Sequence, residues 1–516
     1  MHEILTTDPP LATGAEKTIT DRLRFPARRR GLLRTPGVAA FIAWLEGEAL
    51  FVAGVAAVAA IILGKIPAHL NQDAWLALVD GRYVAQHGLP HHDTLAVLTH
   101  GARWIDQQWL AQLVIYRLDQ IGGLRLYSLV YVMLTVGSLA FAIAAARRLG
   151  GSAKHVVWVL PLAAFLYFVG SFQIRTQGFA YPLFVGTVWL LAADARRPSR
   201  RVLLVLPLLI LWANLHGSAS LGAGIVALYG ACRLTDELRK RRISARAGAL
   251  LLGAPLCLLG TPYGLSGISY YRDTLMNPAF KALVVEWQPV SSFTVLAVPF
   301  FAAALATVWM LGYSRGRVRS FEALTLLILI AGAITAVRNI TWFALAALIL
   351  LPGILTAELR DTRPSVRRPQ LNLALVASSA AILLMSLGGV VAHSSAWFES
   401  GYDAPALDRA AALAERHPSV RIYADGHYAD WLLWHHPALA GRIAYDSRLE
   451  LLTDIQLHDL AALPEIVPLG TKSVLSGFGL LVLDTKGSES HLLLAQPGTT
   501  VVARGRGVVL ASHSGQ

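Results

Sequence analysis

The sequence has 516 residues, of which 55% are hydrophobic and only 15% are charged, whereas soluble proteins carry about 25% charged residues. Together with repeated long apolar runs, this composition excludes an ordinary soluble protein and predicts a mainly α-helical, polytopic membrane protein. The net charge of +13 comes from short basic clusters between the apolar runs, so the positive-inside rule explains it better than nucleic-acid binding does.

The first segment, residues 1–45, is polar and basic for too long to be a cleaved signal peptide. We expect it to be a disordered cytoplasmic tail. The apolar runs that follow lie at about 46–64, 124–146, 155–171, 178–194, 202–214, 219–232, 247–261, 293–313, 321–337, 339–357 and 371–392. With the N-terminus inside, every arginine-rich loop falls on the cytoplasmic face, which predicts about eleven spans of the plasma membrane. The interruption NLHGS, at 214–218, leaves that number open by one or two.

This topology collects the remaining polar segments on the outer face. They are residues 65–123, 171–177, 212–218, 261–289, 336–339 and everything after about 393. Polar and ionisable groups at membrane depth are costly, so a one-sided collection of them predicts a functional site.

The first outer loop begins with a predicted amphipathic helix from Asn71 to His87. Two stripes run along it, one of Asp73, Leu76, Asp80, Val84 and His87, and one of Trp75, Leu78, Val79 and Tyr83. The apolar stripe suits a helix that lies along the membrane surface against lipid or protein. Asp73 has two interpretations: a first-turn acid favoured by the helix dipole with Asn71 as N-cap, or a carboxylate held near the membrane as a general base.

The stretch HGLPHHDT, residues 87–94, offers His87, His91, His92 and Asp93 as zinc ligands. Pro90 interrupts the segment, so the two histidines four residues apart do not share a continuous helix face. A solvated turn in which Asp93 bonds its own backbone explains the stretch better than catalytic zinc.

A second amphipathic helix is predicted to begin in WIDQQWLAQLVIYRL, from residue 104. Asp106 stands near its start, and Trp104 and Trp109 are predicted to anchor it at the membrane interface.

The last segment, residues 393–516, predicts a small extracytoplasmic α/β domain. VRIYAD, GRIAYDS, GLLVLDT and VVARGRGVVLAS are typical of strands, and HYADWLLWHH is typical of a helix. The predicted membrane domain therefore covers residues 46–392, with the outer loop 65–123 as its largest insertion.

Several motifs together resemble one family. They are Asp73-x-Trp75, Gly81, Gly88-x-Pro90, Asp93-Thr94, Trp104 with Trp109-Leu110, RTQGFAYPLF, LWANLHGS, GTPYG with VVEWQP, VRNITWFAL, and HYADWLLWHHP with RIAYDSRLEL. This pattern resembles bacterial polytopic proteins related to GT-C glycosyltransferases, which include Rgt-like and dolichyl-mannosyltransferase-like enzymes. The resemblance spans most of residues 46–460.

The resemblance implies a polyprenyl-phosphate sugar as donor and transfer outside the cytoplasm to an envelope glycan, lipid or protein acceptor. It also implies an acidic residue of the first outer loop as catalytic base, with Asp73 in that place and Asp93 and Asp106 as the other candidates. The chain has DAW where many relatives have paired acids such as DE or DxD. This difference weakens the expectation of a divalent metal and leaves the choice among the three aspartates open.

The implied reaction is an inverting displacement in which the lipid phosphate leaves. Arg175 and Arg338 lie on the predicted outer face, and their guanidinium groups suit the leaving phosphate. The alternative is that each side chain extends to lipid headgroups from the end of a span.

Further residues are predicted to contact substrate: Gln177, Asn214, His216, Tyr263, Glu286, Trp287, Asp446 and Arg448. The ordinary alternatives are a helix-end hydrogen bond for His216, an interface anchor for Glu286-Trp287, and an ion pair between Asp446 and Arg448.

Two other functions compete with the enzyme. A transporter or flippase for lipid-linked substrates predicts charges within the spans and internal repeats, and the sequence shows no repeat. A catalytically silent GT-C-like protein of envelope assembly is the other alternative.

Overall fold

The structure, a computed structural model, describes residues 45, 47–241, 244–277, 284–291, 295–359, 368–462, 475 and 477–514. Contacts divide the chain into two compact units, Met1–Gly47 and Glu48–Gln516. The predicted N-terminal tail, apart from Leu45, lies outside the described residues. The elements below all belong to the second unit.

Each predicted apolar run contains a helix. In chain order the helices up to residue 392 are α1 (Ala49–Gly64), α2 (Ile66–His69), α3 (Gln72–His87), α4 (Trp109–Arg148), α5 (Ala153–Gly170), α6 (Ala180–Arg196), α7 (Val205–Leu215), α8 (Ala219–Arg239), α9 (Ala245–Cys257), α10 (Gly267–Met276), α11 (Ala297–Tyr313), α12 (Ser320–Thr335), α13 (Ile340–Glu358) and α14 (Pro369–Ala392).

Length and composition identify membrane-crossing candidates among the described residues. Five stretches qualify: Trp109–Arg148, Ala153–Gly170, Thr176–Arg196, Val337–Glu358 and Pro369–Ala392. Helices α1, α9, α11 and α12 are apolar but shorter. The predicted fold class is therefore confirmed, whereas the number of spans and their orientation stay predictions.

Helix α13 lies in the core of the helical region. Its residues Trp342, Phe343 and Leu348 are buried, and it packs mainly against α5, α4 and α12. In contrast, α14 packs against α1 and leaves most of its apolar surface exposed. A helix that is apolar all round and exposed is typical of contact with lipid.

Helix α4 contains a break that the sequence analysis placed between a surface helix and a span. Gly122 and Gly123 have non-helical backbone angles, and Gly123 has φ of 64°. Glycine adopts this left-handed conformation without a steric penalty. The amphipathic first part and the apolar second part are thus joined without a loop.

Helix α3 packs on protein and not on lipid. Trp75, Leu78 and Val79 are buried, and the helix contacts α4 and α17 (Gly426–His435). Asn71 stands at the predicted N-cap position with an extended backbone, but its side chain makes no capping hydrogen bond.

Glycine is required where α3 crosses α4. A Cβ at Gly81 would lie 2.2 Å from the backbone oxygen of Gln112. The absence of a side chain therefore sets how closely the two helices approach, and this approach positions the polar stripe of α3.

The C-terminal segment forms a four-stranded sheet with helices around it. The strands are β1 (Ile422–Ala424), β2 (Leu480–Asp484), β3 (Thr499–Arg504) and β4 (Val508–His513), in the order β1–β2–β4–β3. The helices are α15 (Ser395–Phe398), α16 (Ala404–Arg416), α17, α18 (Asp454–Ala462) and α19 (Ser488–Leu494). The β1–β2 pair is parallel and the others are antiparallel.

One strand prediction in this domain needs correction. VVARGRGVVLAS forms two strands in a hairpin, and Gly507, with φ of 83°, stands in the turn between them. GRIAYDS is not one of the four strands, although Ile443 forms a parallel bridge with Ile422 of β1. The same segment also bonds to the first loop: Val97 N donates to Ile443 O at 2.8 Å, and Leu98 N donates to Ala444 O at 2.9 Å.

Candidate active site

A cavity of about 800 Å³ lies where α3, the start of α4, the C-terminal domain and the segments before α6 and α13 meet. Residues of distant parts of the chain line it, namely members of 72–80, 104–112, 173–177, 216–221, 270–274, 284–287, 338–342 and 447–450. Both charged and aromatic side chains face this space, and the charges are divided between two groups.

The first group is an ion cluster around Arg175. Its Nη1 donates to Glu286 Oε1 and Oε2 at 2.9 and 3.0 Å, and to Asp73 Oδ2 at 3.4 Å. Asp73 stands in the first turn of α3, Arg175 precedes the turn Thr176–Phe179 that leads into α6, and Glu286 lies on a short turn of its own. The structure therefore brings these three predicted site residues together.

The carboxylates of this cluster differ in proton affinity. Burial raises the pKa of Asp73, and the positive charge of Arg175 offsets only part of this increase. Burial also acts on Glu286, but Arg175 and Arg338 outweigh it and lower the pKa of that carboxyl. Glu286 is therefore the stable counter-ion of Arg175, and Asp73 is the better proton acceptor.

Arg338 contributes a second cation to the same cavity. It lies on the turn Val337–Asn339 that leads into α13, and its guanidinium lies 4.5 Å from the ring centre of Trp287. Among the described residues it has neither a hydrogen bond nor an ion pair within 4.0 Å. The positive end of the α13 dipole adds to its charge. This end of the cavity is therefore suited to an anion.

The second group of charges is acidic. Asp80 and Asp106 are buried beside the cavity, while Glu450 is exposed to it. Asp80 Oδ2 accepts a hydrogen bond from Gln112 Nε2 at 3.1 Å, and Asp106 Oδ1 accepts one from the backbone N of Gln108 at 3.2 Å. Burial raises the pKa of Asp106 to about 7.

Asp93 does not reach the cavity. It is fully buried, and it accepts hydrogen bonds from Leu95 N at 3.0 Å, Thr99 Oγ1 at 2.6 Å and Arg448 Nη2 at 2.7 Å. Its bonding to nearby backbone agrees with the turn interpretation. The structure thus places this catalytic candidate in a fold-stabilising contact between the first loop and the C-terminal domain.

Arg448 is the centre of that contact. Its Nε donates to Asp446 Oδ1 and Oδ2 at 3.0 and 3.1 Å, and its guanidinium stacks at 4.1 Å on Trp104. Arg448 lines the cavity whereas Asp446 does not. Asp446 therefore fits the alternative interpretation, in which it pairs with Arg448 and does not contact substrate. Trp104 is buried under the arginine, and its predicted role as an interface anchor is wrong.

Two predicted substrate contacts lie elsewhere. Asn214 Oδ1 accepts a hydrogen bond from Trp109 Nε1 at 3.0 Å, and its Nδ2 donates to the backbone oxygen of Gly260 at 2.9 Å. Tyr263 donates to the backbone oxygen of Pro90 at 3.0 Å. Neither lines the cavity, so both hold loops together, and Trp109 belongs to the same network.

Gln177 and His216 do line the cavity. Gln177 is buried, and its amide has no hydrogen-bond partner among the described residues. Burial lowers the pKa of His216, whose Nδ1 accepts a hydrogen bond from Ser218 N at 3.0 Å. The helix-end alternative thus accounts for the hydrogen bond of Nδ1 of His216. The side-chain amide of Gln177 remains available to a ligand.

In the part of the chain that the structure describes, no group of three or more His, Cys, Asp or Glu side chains could hold a metal ion.

Sequence reasoning missed three cavity residues with clear chemistry: Asp80, Glu450 and Tyr270. Asp80 carried a usable signal, because it lies on the same helical stripe as Asp73. Glu450 and Tyr270 carried none, since only the tertiary fold brings their segments to the cavity.

Comparisons with known proteins give structural likeness alone. No protein-family model matches the sequence, and no curated protein matches it. The apo structure of ArnT from Cupriavidus metallidurans is similar, with a TM-score of 0.48 and 14% identity over 92% of this chain and 98% of that chain. The apo Archaeoglobus fulgidus oligosaccharyltransferase has a TM-score of 0.46 and 12% identity over 83% and 69%.

The second of these proteins is named an oligosaccharyltransferase. A second structure of the same ArnT, bound to undecaprenyl phosphate, also has a TM-score of 0.48. Because the identities are low and the TM-scores lie below 0.5, the likeness concerns the course of the chain. The reaction must be inferred from the cavity.

Proposed function

We propose that the chain is an integral membrane glycosyltransferase that moves a sugar from a polyprenyl-phosphate donor to an envelope glycan, lipid or protein acceptor on the outer face. The observation that carries the proposal is one cavity that combines a carboxylate of raised pKa, Asp73, with an arginine, Arg338, that makes no ion pair within 4.0 Å among the described residues. A sugar linked to phosphate needs a proton acceptor on one side of its C1 carbon and a cation on the other.

In the proposed reaction, Asp73 accepts the proton of the acceptor hydroxyl as that oxygen attacks C1 of the sugar. The bond between C1 and the phosphate oxygen breaks, and its electron pair leaves with the phosphate. Arg338 stabilises the charge of the leaving phosphate through the fork geometry of its guanidinium. A single displacement of this kind inverts the configuration at C1.

Asp73 is favoured over the other two aspartates as the base. It is the aspartate paired with Arg175, in the cluster next to Arg338. Asp93 is occupied by its buried ion pair, and the charges that act on Asp106 are those of Arg448 and Glu450, away from Arg175 and Arg338. Arg175, which is itself held by Glu286, keeps the Asp73 side chain in position. The base therefore has little conformational freedom left to lose when the reaction takes place.

The proposal is tested with the full-length protein in membrane vesicles and labelled polyprenyl-phosphate sugars. We expect Asp73→Asn to lose transfer by about 10²-fold or more while undecaprenyl phosphate still binds. We expect Arg338→Gln to weaken undecaprenyl phosphate binding by about tenfold or more. Asp459→Asn and Arg409→Gln, at exposed positions of the C-terminal domain, are the matched controls.

Two results would contradict this function. Undiminished transfer by Asp73→Asn would remove that residue from the base role. Binding of lipid-linked sugars without transfer from any donor would instead support the transporter or the catalytically silent protein.

A further inference from the structure

The acidic group belongs to an acceptor-rich end of the cavity, which we define as Asp80, Asp106, Gln107, Gln112 and Glu450. Four of these residues are at least nine-tenths buried, with exposures of 1% for Asp80, 3% for Asp106, 8% for Gln107 and 4% for Gln112. Each of the four has a side-chain oxygen without a hydrogen-bond partner among the described residues. Buried acceptors of this kind are costly unless water or a ligand supplies donors.

The two glutamines present only their oxygens to this end. Gln112 Nε2 donates to Asp80, and Gln107 Nε2 donates to the hydroxyl of Tyr270 at 2.8 Å. Their amide nitrogens are therefore occupied, while the carbonyl oxygens remain. The acceptor-rich end is therefore suited to a ligand that donates hydrogen bonds.

The charge of this end is also unbalanced. The adjacent cation is Arg448, which has one unpartnered nitrogen, Nη1. Its single positive charge is already matched by Asp93 and Asp446. Asp80, Asp106 and Glu450 therefore have no cation of their own within salt-bridge distance among the described residues. Buried carboxylates without a counter-ion are unfavourable, and they are relieved by a proton or by a cationic ligand.

We propose that the acceptor-rich end binds a protonated primary amine carried by the substrate, either on the transferred sugar or on the acceptor. An ammonium supplies three donors and one positive charge, whereas a hydroxyl supplies one donor and no charge. The inference rests on the proposed function, because it takes the amine as part of a molecule that reacts next to Asp73. Asp80 follows Asp73 by two turns of α3, about 10 Å along the axis.

The buried carboxyl group of Asp106 is suited to such a ligand. Because burial raises its pKa to about 7, this group is about half protonated at neutral pH. A bound ammonium replaces that proton with a fixed charge and donates hydrogen bonds to the same oxygens.

The test measures binding to the full-length protein in lipid nanodiscs at about pH 7, where the amine is charged. In the first arm, the probes are undecaprenyl-phosphate-linked glucosamine, N-acetylglucosamine and glucose. In the second arm, the protein is first loaded with the glucose donor, and free glucosamine is compared with free glucose. Undecaprenyl phosphate alone is measured in the same preparations, because its binding tests the proposed function separately.

We expect the amine to tighten binding by about tenfold or more in one of the two arms. A preference in the first arm assigns the amine to the donor sugar, and a preference in the second assigns it to the acceptor. Asp106→Asn is expected to abolish the preference. Glu450→Gln is the second variant and is expected to weaken the preference; because this side chain is exposed, its replacement should not prevent folding. Asp459→Asn should keep the preference.

The proposal is overturned if undecaprenyl phosphate binds but neither arm prefers the amine, and the proposed function then still stands. It is also overturned if the preference survives in both Asp106→Asn and Glu450→Gln. If undecaprenyl phosphate itself does not bind, the proposed function fails, and the inference fails with it.

Discussion

Asp93 is the buried carboxylate that joins the first loop to the C-terminal domain, and Asp93→Asn removes its charge while keeping its shape. The wild-type side chain accepts hydrogen bonds from Leu95, Thr99 and Arg448, and the side chains of the ion pair are at most 2% exposed. Breaking a buried pair on one side costs about 3–5 kcal/mol. Because Arg448 keeps Asp446 as a partner, we expect the lower end, about 3 kcal/mol of unfolding free energy.

The assay compares two variants by two measurements. Thermal unfolding in detergent reports stability, and transfer per folded molecule reports chemistry. Asp93→Asn should lower the melting temperature and keep the transfer rate of the folded fraction. Asp73→Asn should keep the melting temperature close to that of the wild type and lose transfer. An Asp93→Asn protein with unchanged stability and no transfer would refute the reasoning and restore Asp93 as a catalytic candidate.

Three further predictions concern packing, pH and the phosphate end. Gly81→Ala should lower the melting temperature because its Cβ would lie 2.2 Å from a backbone oxygen of α4, whereas Gly137→Ala, with open space around it, should not. Since the pKa of Asp106 is raised to about 7, its contribution to stability is complete below about pH 4 and is lost as pH rises towards 7. Asp106→Asn should therefore flatten the decline of the melting temperature between about pH 4 and about pH 7. Trp287→Leu removes the ring beneath Arg338 and should weaken undecaprenyl phosphate binding several-fold, by about 1 kcal/mol in a titration.

The membrane part of the fold could be predicted from the sequence because lipid imposes simple rules. A helix in lipid must be apolar over most of its length, so each apolar run could be recognised as a helix without knowledge of the segments that pack against it. The polar stripe of α3 was readable for the same reason, since 3.6-residue periodicity placed Asp73 and Asp80 together. The sequence did not show whether the apolar stripe of α3 contacts lipid or protein. Its partner is α17, which lies more than 300 residues further along the chain.

The site was harder to predict, since ion pairs between distant segments leave no local pattern. Asp93 and Arg448 are separated by 355 positions, and nothing near either one indicates the other. Asp93 therefore resembled a catalytic acid in the sequence, although its carboxylate forms a buried ion pair with Arg448 in the structure. Arg338 was recognisable because the predicted topology places it on the outer face, where few cations are found.

The contact between segments 95–98 and 441–448 has a consequence for how the protein is made. One wall of the cavity is supplied by residues 447–450, and it is held in place by the pair of Asp93 with Arg448. All the membrane helices are synthesised before that wall exists. A nascent chain therefore holds Asp73, and later Arg338, in an incomplete cavity until residues 447–450 are made, and the site is assembled only when the C-terminal domain folds onto the first loop.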